Sequence, residues 1–221
     1  MPYLGFSAKN DITINATSDL ELTSDNTTIK FGADDDVTIT HDPDDGLIFK
    51  SIATADDNPF LLTIQTGETD LAANDVIGKI QFQAPDEGEG TDANLVSAAI
   101  QAVAEGDFSS SSNATSLQFM TGSSEVATTK MTILSSGNVG IGANSPTVLL
   151  DLESANPIIR LTDSDASGTP ECQVSGAGGD LILDADRDNE KSSSLISFKV
   201  DGTERMRIDS SGHLLVGTTD N

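Results

Sequence analysis

Few side chains in this sequence have the chemistry of a catalyst or a metal ligand. The histidines are His41 and His213, the single cysteine is Cys172, and the other reactive groups are 36 acidic residues spread over 221 positions. A Ser-His-acid triad would need one of those two histidines beside a nucleophile and a carboxylate. His41 stands in THDPDDG, which has the composition of a tight turn. His213 stands in SSGHLLVG, where an earlier copy of the same phrase has Asn138, and Asn and His share a tolerance for left-handed turn geometry. Both read as turn residues, and no triad is supported. Nothing near Cys172 looks like a base, so its thiol reads as a small packed side chain rather than a nucleophile. A lone cysteine also rules out an intrachain disulfide.

Carboxylate pairs occur at Asp34-Asp35-Asp36, Asp44-Asp45, Asp56-Asp57 and Glu87/Glu89. A polysaccharide-cleaving site needs two such groups at a defined separation across a sugar, but in so acidic a chain pairs arise without selection for chemistry. The sequence has no Trp and Tyr3 is its one tyrosine, so the aromatic platforms of a sugar groove are missing. The chain therefore reads as a non-enzyme, with no catalytic residue and no cofactor. The one calcium candidate is Asp184, Asp186 and Asp188, at the alternating spacing of the first ligands of a calcium loop. Asn189 replaces the expected glycine and Leu195 the bidentate Glu, so a solvated acidic turn is the better reading. SGAGGD, residues 175–180, precedes no helix and reads as a hairpin turn rather than a phosphate loop.

The strongest pattern is a repeat. KMTILSSGNVGIG, residues 130–142, returns as RMRIDSSGHLLVG, residues 205–217. In both copies apolar and other residues alternate, an SSG turn intervenes, and alternation resumes, which is strand, turn, strand. The constant apolar set is Met131, Ile133, Val139 and Ile141, then Met206, Ile208, Leu214 and Val216. These positions should face a dry core, while the changing set, Thr132, Arg207 and Leu215, should mostly face water. Gly137 and Gly212 should supply the positive φ that closes each turn.

Hydrophobic residues make up 36% and aromatics 4%, and turn-forming residues are abundant, so many short strands are expected rather than a large core. The net charge of −25 disfavours nucleic acid and anionic lipid, whose binding depends on Lys and Arg. No apolar run reaches membrane-spanning length, and MPYLGFSAKND lacks the features of a secretion signal, so a soluble protein made in the cytoplasm is expected.

Short alternating stretches follow one another from residue 11: DITIN, LELTS, TIKFG, DVTIT and GLIFKS, then a longer strand around FLLTIQT, then GKIQFQA. LVSAAIQAVAE has helix-favouring alanines but strand-like surroundings, and reads as a strand. SLQFMTG and SLISFKVDG lead into the two repeats, and VLLDLES, PIIRLTD and GDLILDAD are further strands. The chain divides into 1–52, a short-strand shaft or attachment region, 53–145, a first β-repeat module, and 146–221, a second. The fold class is all-β, as a β-coil, β-prism or intertwined β-meander; an ordinary sandwich, whose two inner faces cover each other, is the alternative.

The stretch from GKIQFQA through KMTILSSGNVGIGANSPTVLLD, residues 78–151, resembles the shaft repeats of tailed-bacteriophage tail fibres and related virion fibre proteins, especially those of marine phages. VDGTERMRIDSSGHLLVGTT resembles the same phrase in such fibres, and ADDDVTITHDPDDGLIFKS extends the likeness over most of the chain. The resemblance implies an elongated homotrimer about a three-fold axis, with the repeated apolar set as its core. It also implies other virion proteins of tail or capsid as partners, a host surface receptor at the far end, and a place in the virion. In many such fibres the GIG or LVG phrase leads into a self-cleaving chaperone domain; none follows Gly217 here, so assembly would rest on another chain, a removed segment or a different partner. A tailspike depolymerase and a β-rich bacterial adhesin are the competing functions.

Overall fold

The computed structural model describes residues 24–32, 35–43, 46–54, 56–84 and 95–217, and every regular element among them is a β-strand. The expected strands DITIN and LELTS lie outside the described residues. The chain forms two compact units, residues 1–63 and 64–221.

In the first unit, β1 (Thr28–Phe31), β2 (Val37–Asp42) and β3 (Gly46–Ser51) form an antiparallel meander. Ile29, Ile39 and Phe49 stand opposite one another across it. His41 pairs with Leu47 inside the sheet, and its amide donates to Thr27 O at 2.9 Å. The turn expected at His41 thus begins two residues later, at Pro43, because the alternation of VTITHD carries the strand through the histidine.

The second unit holds three sheets among the described residues. The largest has six strands in sequence order: β4 (Val76–Gln83), β5 (Val96–Ala104), β6 (Thr115–Thr121), β7 (Thr128–Ile133), β8 (Val139–Ile141) and β9 (Leu150–Leu152). All its pairs are antiparallel except β8 with β9. LVSAAIQAVAE is a strand, as its surroundings indicate: β5 is held on both sides, so ladder bonds outweigh the helix preference of alanine. Two three-stranded meanders follow, β10 (Ile158–Thr162), β11 (Glu171–Ala177) and β12 (Asp180–Ala185), then β13 (Ile196–Val200), β14 (Thr203–Ile208) and β15 (Leu214–Val216). SGAGGD closes β11 onto β12 with Gly178 and Gly179 both at positive φ, the two-residue turn whose twist matches a hairpin.

Both repeats fold as hairpins, β7–β8 and β14–β15, and Gly137 (φ 87°) and Gly212 (φ 82°) adopt the expected left-handed geometry. FLLTIQT does not become a strand. Residues 58–68 join no sheet among the described residues.

The repeat faces depart from expectation. Thr132, expected to meet water, is 0% exposed and is the largest fully buried side chain among the described residues; Leu215 is also buried. Arg207 is half-buried beside Glu204 at 3.5 Å. The reason lies after β8, where the chain turns back across the Thr132 side of the sheet. A Cβ on Gly140, the cross-strand partner of Thr132, would stand 2.1 Å from the Ala143 carbonyl oxygen. Glycine is required there by contact, not by φ. In the second copy Leu215 occupies the equivalent place and covers that side itself.

Thr132 Oγ1 is buried with no hydrogen-bond partner among the described residues. Thr132→Val removes that unbonded hydroxyl at nearly constant shape and should raise stability by about 1 kcal/mol in urea unfolding. Thr132→Asp should cost several kcal/mol. A destabilised Thr132→Val would show that the hydroxyl has a partner in the assembled protein.

Candidate functional site

The register of the six-stranded sheet sorts its side chains into two unlike faces. One row crosses all six strands as Ile80, Ile100, Phe119, Met131, Ile141 and Leu152, and the next runs Gly78, Ala102, Leu117, Ile133, Val139 and Leu150. The opposite face carries Lys79, Gln101, Gln118, Thr132, Gly140 and Asp151. On that face Gln101 donates to Gln118 Oε1 at 2.9 Å, and Thr129 donates to the same oxygen at 3.0 Å. The face that the chain folds over is therefore the polar, small-residue one. The apolar face is left open: Ile80, Phe82, Leu117, Ile141 and Leu150 are all exposed.

The smaller sheets repeat the arrangement. Ile196, Ile208 and Leu214 stand in one row of the last sheet and Phe198, Met206 and Val216 in the next, with Leu214 63% and Val216 67% exposed. In the preceding sheet Ile159, Val174 and Leu183 share one row and Leu161, Cys172 and Ala185 another. Cys172 is thus exposed on an apolar face, not packed as the sequence suggested. The buried apolar side chains are mostly alanines, at 99, 104, 127 and 143, with Val103 and Leu215. A single sheet can bury one face against its own loops but not both. Monomeric soluble proteins rarely expose large contiguous apolar surface. The eight repeated apolar positions named from the sequence all lie on these faces, where a partner could cover them.

The polar candidates serve turns. Asn138 and His213 both sit in the repeat turns, yet neither has positive φ, which falls to the preceding glycine in each case. Asn138 donates from Nδ2 to Pro146 O at 3.1 Å, whereas the His213 amide donates to Asp209 Oδ1 at 2.9 Å and its Nδ1 lies 3.2 Å from Asp209 Oδ2. The first turn is held from elsewhere: Glu105 accepts from Ser135 N and from Ser135 Oγ, each at 2.6 Å.

Asp184 is in β12 opposite Gln173, whereas Asp186 follows the strand at φ 57°. The carboxylate of Asp186 accepts the amides of Glu190 (2.9 Å) and Lys191 (3.1 Å) and the Ser194 hydroxyl. The Ser194 hydroxyl, aided by those amides, holds Asp186 below its ordinary carboxylate value. The structure thus brings loop donors, not Asp184 and Asp188, to Asp186, and no trio of His, Cys, Asp or Glu among the described residues is grouped to hold a metal. Sequence reasoning missed Glu105 and Asp209 as turn-holding groups. Asp209 was legible as an Asx residue just before SSG; Glu105, thirty residues from its partner, carried no local signal.

No family model and no curated protein matches the chain. Among solved structures it is similar to the carboxy-terminal domain of the bacteriophage T5 L-shaped tail fibre, at 9% identity and a TM-score of 0.35, covering 76% of this chain and 90% of that one. It is also similar to that domain carrying its intra-molecular chaperone domain, at 10% identity and a TM-score of 0.35, covering 76% of this chain and 62% of the other.

Asp186 has its pKa lowered from an ordinary value of 3.8. A depressed carboxylate contributes stability above its unfolded pKa and loses it as pH falls through the lower folded value. The loop at residues 186–194 should therefore stay closed from neutral pH to roughly pH 4 and loosen below it. Hydrogen exchange at the Glu190 and Lys191 amides reads this directly, and Asp186→Asn should give the loosened rates at neutral pH.

Proposed function

We propose that this chain is one subunit of a homotrimeric virion fibre, a structural protein that extends a phage tail toward the host surface. One observation carries the reading: every sheet among the described residues has an apolar face on which large side chains stay exposed. Three copies about a shared axis would turn those faces toward one another, and each large side chain so buried contributes about 1.5–3 kcal/mol. The resemblance of residues 78–151 to phage fibre shafts supports the copy number and the organ. The role is mechanical: reach, stiffness and attachment. Partners are further copies of the chain, a neighbouring virion protein, and a receptor on the host.

Light scattering on the purified protein should give three times the 23.0 kDa chain mass, with no folded monomer on dilution. Ile133→Asp and Ile208→Asp should each abolish the assembled species, since each sets three charges on the shared core at a cost of several kcal/mol apiece. A folded, stable monomer would overturn the reading. Antibody labelling of intact virions then places the chain on the particle.

Three copies of −25 gather −75 on one assembly. Their repulsion is long-ranged at low salt, where the Debye length is roughly 30 Å at 0.01 M, and short-ranged near 1 M, where it is roughly 3 Å. The melting temperature should rise across that range. A flat curve would mean that the carboxylates are too dispersed, or too well paired, for repulsion to matter.

A further inference from the structure

Residues 58–66, NPFLLTIQT, are built like a strand and used as none. Neither turn nor bend interrupts residues 58–68. Among the described residues none of the backbone groups of residues 58–66 pairs with another backbone group. Their side chains are not those of a surface connection: Phe60, Leu61, Leu62 and Ile64 are all exposed, Leu61 by 78% and Leu62 by 66%. A row of open amides and carbonyls flanked by wet leucines has two unmet demands, and pairing with a strand edge meets both.

We propose that this segment adds as a strand to the open edge of β4 in a second copy of the chain, tying neighbouring subunits of the fibre by backbone hydrogen bonds. The proposal rests on the fibre reading for the presence of that second copy. The choice of edge follows from length and charge. Among the described residues β4 pairs with β5 on one side and carries no strand on the other, and its length is close to that of the segment, whereas the other edge strands have three to six residues. In a chain of −25, neither residues 58–66 nor β4 contains a single acidic residue, and β4 contributes Lys79. The two can therefore approach without the repulsion that much of the chain's surface would impose. Ile80 and Phe82, exposed beside that edge, provide apolar neighbours for the leucines. The segment does not serve its own β4 in this way. A Cβ on Gly78 would stand 2.9 Å from Ile64 Cγ2, and Gly78 belongs to the apolar face, so Ile64 lies over that face rather than beside the edge.

The test uses two differently tagged chains, both with Cys172→Ser, co-expressed and purified as the assembly. One carries Leu61→Cys or Leu62→Cys, which sample both faces of the segment, and the other Ile80→Cys or Gln81→Cys. Mild oxidation should link unlike tags for at least one combination. Hydrogen exchange on the unmodified assembly should show the amides of residues 60–65 slowed by at least ~100-fold relative to an open chain. Scattering reports the assembly separately. An assembly of three in which these amides exchange freely, or in which no unlike tags are linked, overturns the strand addition and leaves the fibre reading standing. A monomer overturns both.

Discussion

One sheet cannot dry both of its faces, and the arrangement of this chain follows from that limit. Strand alternation sends isoleucine, leucine, phenylalanine and methionine to one side and threonine, glutamine, lysine and glycine to the other. The connections among the described residues leave much of the first side exposed. They cover the small-residue side instead, where Ala143 lies against Gly140 and Thr132 is sealed in. In each sheet among the described residues the side with the greater hydrophobic content keeps large side chains exposed.

The acidic residues have a different place in this economy of surface. Several of them act as hydrogen-bond acceptors for backbone: Glu105 for Ser135, Asp186 for Glu190 and Lys191, Asp209 for Ser211 and His213. A carboxylate that captures turn amides replaces the bonds a sheet would have given them. Arg160 and Gln173 extend the same use across a sheet face, both reaching Glu171, at 3.3 Å and 2.9 Å. Acidity here is a way of finishing loops.

The strand pattern was largely legible because its period is two and its interruptions are glycines and Asx residues; the hairpins of Gly137 and Gly212 are where the SSG phrase puts them. What alternation could not reveal was which side the chain itself would cover. Thr132 looks like a surface residue beside isoleucines, and the return of the chain at Ala143, which buries it, depends on a contact between segments. The change from Gly140 to Leu215 between the repeats was visible, but its meaning, a backbone crossing present in one copy and a side chain in its place in the other, was not. FLLTIQT has the composition of a strand and lacks only a neighbour, a property no window of residues contains. His41 was assigned to a turn on composition, where alternation, the stronger signal, carried β2 through it.

The two hairpins also differ in when they are able to close. The second carries its own latch, since Asp209 takes the amides of Ser211 and His213 from within the same phrase, so everything it needs has been synthesised once residue 216 is made. The first is latched by Glu105, at the end of a strand thirty residues upstream, and its tip is secured only after β5 has reached its place in the sheet. Nearly identical phrases thus rely on contacts of different range, one inside its own turn and the other across thirty residues. The repeat preserves a shape while changing the order in which that shape is reached.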